Sequence, residues 1–185
     1  MIVNPLQKKP HMQLKEAISL IDHQKFKPAG IQSWYDLGAG TGIFTIALAH
    51  VLEPGSKIVA VDNNLAALQN IPGSVNNTNI KTIKQDFTLN DLPYHDFDGI
   101  LMANSFHYVK DKTGFIQKIK MNLKPLHSFL VVEYDTERPN TWVPYPISFL
   151  SLRELFENAG YGSVIKLNER ASRYNSNMMY SAMII

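Results

Sequence analysis

The chain has 185 residues, 45% hydrophobic and 18% charged, which suits one globular domain with a real core and leaves no room for a second unit of ordinary size. Basic residues number 18 and acidic residues 16, a formal charge of +2, and the lysines are interspersed with acids, so a nucleic-acid partner held by charge is disfavoured. With no cysteine, disulfides, thiolate metal sites and cysteine nucleophiles are all excluded, and a reducing cytoplasm is the default setting.

Met1 to Pro10 is interrupted by Pro5 and carries Lys8 and Lys9 with no apolar stretch behind them, so it does not read as a secretory signal. Leu14, Ala17, Ile18 and Ile21 recur at helical spacing and predict a helix with one apolar face that ends before Pro28. Ser33–Leu37 reads as a buried strand running into a glycine-rich turn. Ile43–Leu52 continues as a helix apolar almost all round, which marks it as enclosed against a sheet. The longest apolar tract, Gly42–Leu52, contains Thr45 and His50 and falls far short of the ~20 residues that cross a bilayer.

The alternation then repeats. Lys57–Val61 is a predicted strand, Leu65–Asn70 a helix stopped by Pro72 and Gly73, and Ile80–Lys84 and Phe97–Ala103 are further strands. Asp111 is placed to cap a helix that carries Phe115, Ile116, Ile119 and Leu123 and stops at Pro125, before a strand over Ser128–Glu133. Ser151 and Glu154 have the spacing of a capping box, with Leu152, Leu155, Phe156 and Ala159 as the apolar face behind it. Ser163–Leu167 and Met178–Ile185 are linked too closely for a crossover helix and predict an antiparallel hairpin. Right-handed crossovers then give an α/β fold: a doubly wound, mostly parallel, seven-stranded sheet closed by that hairpin. One domain is expected, with residues 1–30 as a helical cover, 31–135 as the ligand-binding core, 136–150 as a lid-like insert and 151–185 as the closing helix and hairpin.

Ligands of such sheets bind at the C-terminal ends of the strands, beside the point where strand order reverses. The loop at that place reads Asp36-Leu37-Gly38-Ala39-Gly40-Thr41-Gly42. Its glycines permit a sharp turn and a close ligand approach, and the amides opening the next helix add a positive end. A nicotinamide fingerprint counted from Gly38 needs a glycine at position 43, where the chain has Ile43. At the tip of the second strand Asp62, followed by Asn63, is suited to the hydroxyls of a ribose, with a helix cap as the alternative reading. Asp86 and Phe87 at the third tip suit an adenine edge and face, or else a solvated loop acid and a core ring. Asn104 ends the fourth strand on the same cleft. The six histidines show no paired metal-ligand spacing, and no metal is assigned.

These residues resemble the class I S-adenosylmethionine-dependent methyltransferases, whose glycine motif Asp36 to Gly42 matches at each position. The resemblance implies S-adenosylmethionine as cofactor, with Gly38, Ala39, Gly40 and Gly42 under its methionine part and Asp36 holding the loop or the amino group. It also implies Asp62 and Asn63 on the ribose, Asp86 and Phe87 on the adenine, and Asn104 closing the cofactor cleft. Phe97-Asp98-Gly99-Ile100 resembles the family's fourth strand and Asn122-Leu123-Lys124-Pro125 the turn before its fifth, so the likeness covers roughly residues 30–135 and the closing hairpin. Leu126-His127 stand where the family has a glycine pair. No Asn-Pro-Pro-Tyr or Asp-Pro-Pro-Tyr follows the fourth strand, which points away from exocyclic amines of nucleic acid.

The implied activity is in-line methyl transfer to a small, partly apolar acceptor held within roughly 3–3.5 Å. His107 has the intrinsic acidity of a general base, with a packing role as its alternative. Ser105, Glu133 and Asp135 reach the same edge. Tyr108, Tyr134, Trp142 and Tyr145 are the expected acceptor contacts, the last two on a proline-stiffened segment, Arg138–Phe149, that alternatively packs inward or on a partner subunit. Competing readings are an RNA or protein methyltransferase, for which only Lys8, Lys9, Lys25 and Lys27 offer a basic cluster, and a non-catalytic module binding S-adenosylmethionine or a nicotinamide.

Overall fold

Helix α1 (Leu14–Ile21) starts where the Glu16 carboxylate accepts the Gln13 amide at 2.9 Å, and it buries Ala17, Leu20 and Ile21. It docks on α2 (Ile43–Val51), which follows β1 (Ser33–Leu37). Then come β2 (Lys57–Asp62), α3 (Leu65–Leu68), β3 (Ser74–Val75), β4 (Thr78–Lys84) and β5 (Phe97–Ala103). The chain closes with α4 (Lys112–Ile119), β6 (Leu123–Tyr134), α5 (Phe149–Asn158), β7 (Val164–Ala171) and β8 (Met178–Ile184). The computed structural model describes residues 12–26, 29–172 and 178–185. Lys8, Lys9 and Lys27 of the basic cluster, and most of the expected N-terminal cover before α1, lie outside the described residues.

The sheet order is β3-β4-β2-β1-β5-β6-β8-β7, parallel from β4 to β6 and antiparallel at β3, β8 and β7. The α/β, doubly wound fold and its closing hairpin are as the sequence predicts. The eighth strand is the two-residue β3, joined to β4 through Asn76 and Asn77 at φ 49° and 58°, a turn that asparagine tolerates better than most residues. Because β1 lies between β2 and β5, strand order reverses beside β1, above its C-terminal end. Alternation along β1 feeds two cores: Tyr35 and Leu37 pack with Ile100, Phe129 and Phe156 on one face, and Trp34 packs with Leu48, Leu101 and Leu130 on the other.

Several expected boundaries move, two of them for a reason visible in the fold. Leu123 is not on a helix: α4 ends at Ile119, a single 3₁₀ turn follows over Lys120–Asn122, and β6 begins at Leu123. The Asn122 side-chain amide donates to the carbonyls of Leu92 and Tyr94 at 3.1 and 2.8 Å, anchoring the end of that turn. Pro125 is tolerated because the β5–β6 register jumps between Phe97 and Gly99, leaving the proline unpaired. The capping box at Ser151 and Glu154 is also displaced. Helix α5 starts three residues earlier in the chain, with Ser148 as its cap accepting the Ser151 amide at 3.2 Å. Asp135 and Glu137, from the preceding segment, accept the Phe149 and Ser148 amides at 2.9 and 3.0 Å and so nucleate the helix there.

Gly99 on β5 faces the indole of Trp34, and a Cβ there would lie 2.5 Å from the ring. Gly99→Ala is therefore expected to lower stability by about 1–3 kcal/mol, the scale of an overpacked core. Urea unfolding measures this, and an unchanged midpoint would show that Trp34 yields freely.

Candidate active site

The glycine loop turns above β1 because Gly38 and Ala39 both donate to the Val61 carbonyl, at 2.8 and 3.1 Å. Gly38, at φ +80°, has no space for a side chain: a Cβ would collide with Ser105, whose hydroxyl donates to the Leu37 carbonyl at 2.5 Å. Gly40, at φ +54°, instead faces open space, so its backbone is bare toward the cleft. Asp62 spans the cleft floor: one carboxylate oxygen accepts the Gly40 amide and the other the Asn64 amide, both at 2.8 Å. Asp86 accepts the amide and hydroxyl of Thr88 at 2.9 and 2.6 Å, while Phe87 is buried edge-on against Phe115.

These residues line a crevice of about 620 Å³ bounded by Gly38, Asp62, Asn63, Asp86, Phe87 and Tyr108. Behind the loop lies a second chamber of about 330 Å³, walled by Met12, Asp36, Ala39, Phe44, Tyr134 and Met179. The two share Gly38, Gly40 and Asn104. Asn104 sits at φ +54°, its amide bound to the Val132 carbonyl at 2.8 Å and its side-chain Oδ1 buried without a hydrogen-bond partner. Asp36 is buried under the loop and accepts the Thr45 hydroxyl at 2.5 Å. Burial pushes its carboxyl up to about 7, against the stabilising Thr45 bond and with a further push from Asp62.

The expected base stands apart. His107 is 2% exposed and lines neither cavity. Its Nδ1 donates to Glu133 Oε2 at 2.8 Å, its backbone amide to Glu133 Oε1 at 3.1 Å, and its carbonyl accepts the Tyr145 amide at 3.0 Å. Its Nε2 is buried without a partner. Tyr108, ring to ring with His107 at 4.4 Å, reaches the larger crevice. Trp142, 80% exposed on the Asn140–Val143 turn, and Tyr145, whose carbonyl accepts the Lys112 ammonium at 2.7 Å, line neither cavity. Met12, Phe44, Thr45 and Met179 were not legible as site residues, because as sequence they are ordinary members of helices and strands. Among the described residues no group of three or more His, Asp or Glu is placed to hold a metal ion, and no helix is long and apolar enough to cross a membrane.

Two outcomes follow from the buried acids. Glu133 is 1% exposed, so His107→Ala strands its carboxylate and is expected to cost about 3–5 kcal/mol in urea unfolding. His107→Gln, which keeps a donor, should cost less; equal stability of His107→Ala and the parent would sink this assignment. For Asp36 the folded pKa lies above the usual carboxylate value, so ionisation is disfavoured in the fold and its stabilising share, full below pH ~4, is lost as pH rises toward 7. Asp36→Asn should remove this decline, gaining on the order of 1–3 kcal/mol on the parent between pH 4 and 8; parallel stability curves for the two proteins would contradict it.

A family model described as a methyltransferase domain matches residues 35–126, from β1 through the start of β6. No curated protein matches the sequence. Among solved structures, a SAM-dependent methyltransferase from Aquifex aeolicus aligns with a TM-score of 0.61 at 21% identity, over 95% of this chain and 100% of that one. Another, from Methanosarcina mazei, gives 0.64 at 16% identity over 85% and 93%. Human N-acetylserotonin methyltransferase, solved in complex with SAM, gives 0.65 at 18% identity over 91% of this chain and 50% of its own. Such identities speak to the fold, while the matched segment contains the acid, the glycine loop, Asp62 and Asp86 in their motif order. The chain belongs to the class I S-adenosylmethionine-dependent methyltransferases.

Proposed function

We propose that this methyltransferase acts on a small, partly apolar acceptor. The observation that carries the reading is the pair of chambers meeting at Gly38, Gly40 and Asn104, one polar and large, the other smaller and walled mostly by apolar side chains. The larger fits the cofactor's adenosine, and the loop residues Asp36, Gly38, Ala39 and Gly40 that the resemblance gives to its methionine part line the smaller. Gly40 leaves room for close approach, Asp62 and Asn63 offer hydroxyl partners for a ribose, and Asp86 with Phe87 offer an acceptor and a ring for an adenine. When bound, the cofactor supplies an electrophilic methyl group on its sulfonium. The chain's part is to orient the acceptor and exclude water. The Asp62 carboxylate adds negative charge beside the loop, which suits a cation.

His107 serves in this reading as a holding residue. Tied to Glu133 and to Tyr145, it anchors the segment that carries Asn104 and Tyr108. Acting as a base would require Nε2 to be uncovered. Tyr134 belongs to the acceptor side, and the Arg138–Phe149 insert with Trp142 and Tyr145 is assigned to the entrance. Among the described residues neither chamber is lined by Lys or Arg, which supports a small molecule over an RNA strand. The cysteine-free composition supports a cytoplasmic setting.

Calorimetric titration with S-adenosylmethionine, S-adenosylhomocysteine and NADH in parallel tests the cofactor assignment. Asp62→Ala should weaken both adenosyl ligands by about 1.5–3 kcal/mol, roughly tenfold to a hundredfold, since it removes ribose contacts and frees the Gly40 amide. Binding of NADH alone would refute the reading.

A further inference from the structure

Asp36 is the acid in the wall of the smaller chamber, and it stands where a charge is hard to hold. It lies in the middle of the sheet, in register with Ala60 of β2 on one side and Leu101 of β5 on the other. The residue is 1% exposed, and among the described residues its carboxyl has one side-chain partner, the Thr45 hydroxyl of α2 at 2.5 Å. It does not hold the glycine loop. The loop amides go elsewhere, those of Gly38 and Ala39 to the Val61 carbonyl and that of Gly40 to Asp62.

The chamber offers this carboxyl no opposite charge. Among the described residues no Lys, Arg or His lines it, and the other titratable side chain in its wall is the Tyr134 phenol. The charged group that acts on Asp36 is Asp62 at the tip of β2, which repels it. A buried carboxyl with one hydroxyl bond, apolar strand neighbours and a like charge beside it is stable in its neutral form. Burial accordingly holds it up at about 7. The missing charge is one that the cofactor carries, because its methionine part ends in an α-ammonium and the loop residues given to that part line this chamber. An ammonium within hydrogen-bond reach favours the ionised carboxylate.

We infer that Asp36 is protonated in the empty protein and gives up its proton when the cofactor's ammonium enters the smaller chamber, so that cofactor binding is coupled to pH. This rests on the methyltransferase reading above. The O–H bond of the carboxyl breaks, its proton passes to solvent, and an N–H of the ammonium becomes the donor in its place. Below pH 7 the proton has to be displaced, so affinity falls as the medium becomes more acidic; above pH 7 Asp36 is already ionised and the coupling fades.

Calorimetry of the full chain in phosphate and in imidazole, buffers of low and high ionisation enthalpy, counts the protons released. S-adenosylhomocysteine should release about 0.9 proton at pH 6 and about 0.5 at pH 7, and should bind about tenfold more weakly at pH 6 than at pH 8. 5′-Methylthioadenosine shares the adenosine and the thioether but has no ammonium, and it should bind without releasing a proton. Asp36→Asn should bind S-adenosylhomocysteine with no release and with an affinity that does not change between pH 6 and pH 8. Should that variant fail to fold, the two ligands compared on the parent protein decide the matter. The inference is overturned if S-adenosylhomocysteine binds at pH 6 with no proton released. It is equally overturned if 5′-methylthioadenosine, or S-adenosylhomocysteine on Asp36→Asn, releases as many protons as S-adenosylhomocysteine on the parent. Failure of the parent to bind either adenosyl ligand is a different result, which overturns the cofactor assignment itself.

Discussion

The Asp62 carboxylate is the contact on which the site is built. A loop with three positive-φ glycines has many conformations to lose, and a single acid at the tip of the neighbouring strand selects one by taking the Gly40 amide while its other oxygen takes the Asn64 amide. Parallel pairing of β1 with β2 brings that acid to the loop: Leu37 is registered with Val61, so Asp62 emerges level with Gly38. The same acid thus shapes the crevice floor and lines its interior, while the helix cap read as its alternative role falls to Asn64, whose side chain accepts the Ala67 amide at 3.2 Å at the start of α3.

Three acids at alternating positions after the core of β6 then organise everything beyond the sheet edge. Glu133, Asp135 and Glu137 follow one another by two residues, and each takes a different partner. Glu133 holds both the ring and the backbone of His107, Asp135 takes the Phe149 amide, and Glu137 takes the Ser148 amide and the Ser151 hydroxyl. The insert between β6 and α5 is therefore anchored at both of its ends, and the segment after β5 is bound to β6 through a buried pair. Hydrogen bonding to Ser148 and Ser151, with Lys112 nearby, keeps the Glu137 carboxyl below the usual carboxylate range despite its partial desolvation. The tip of the insert, residues 138–142 with Trp142, is exposed and stands clear of these anchors.

The division of the cleft into two chambers follows from the same geometry. Side chains that close the smaller one come from α2, β6, β8 and Met12, two residues before α1, parts far apart in the chain that the sheet order β1-β5-β6-β8 and the docking of α1 on α2 bring together. Its polar side chains are Asp36 and Thr41 of the loop region, Tyr134 of β6, and Asn104, which lines both chambers.

By itself the sequence determined the features that depend on local chemistry. The strand–helix alternation, the glycine loop and the acids at the strand tips were legible because period, turn residues and capping groups act within a few residues of one another. Ser33–Leu37 and Phe97–Ala103 are found at their expected bounds for that reason. What the tertiary structure alone decided were features set by partners distant in sequence. Helix α5 starts at Phe149 because acids from the preceding insert satisfy its first amides, outweighing the local box at Ser151 and Glu154. Leu123 joins a strand because Asn122 is anchored to the 85–96 crossover and the β5–β6 register absorbs Pro125. His107 is a candidate base or a packing residue in sequence and a buried residue in the fold, where a carboxylate from the next strand, 26 residues away, satisfies Nδ1 and the backbone amide together. Long-range pairing of this kind leaves no period or spacing to read, and it is this pairing that assigns polar residues to the cavities or to the core.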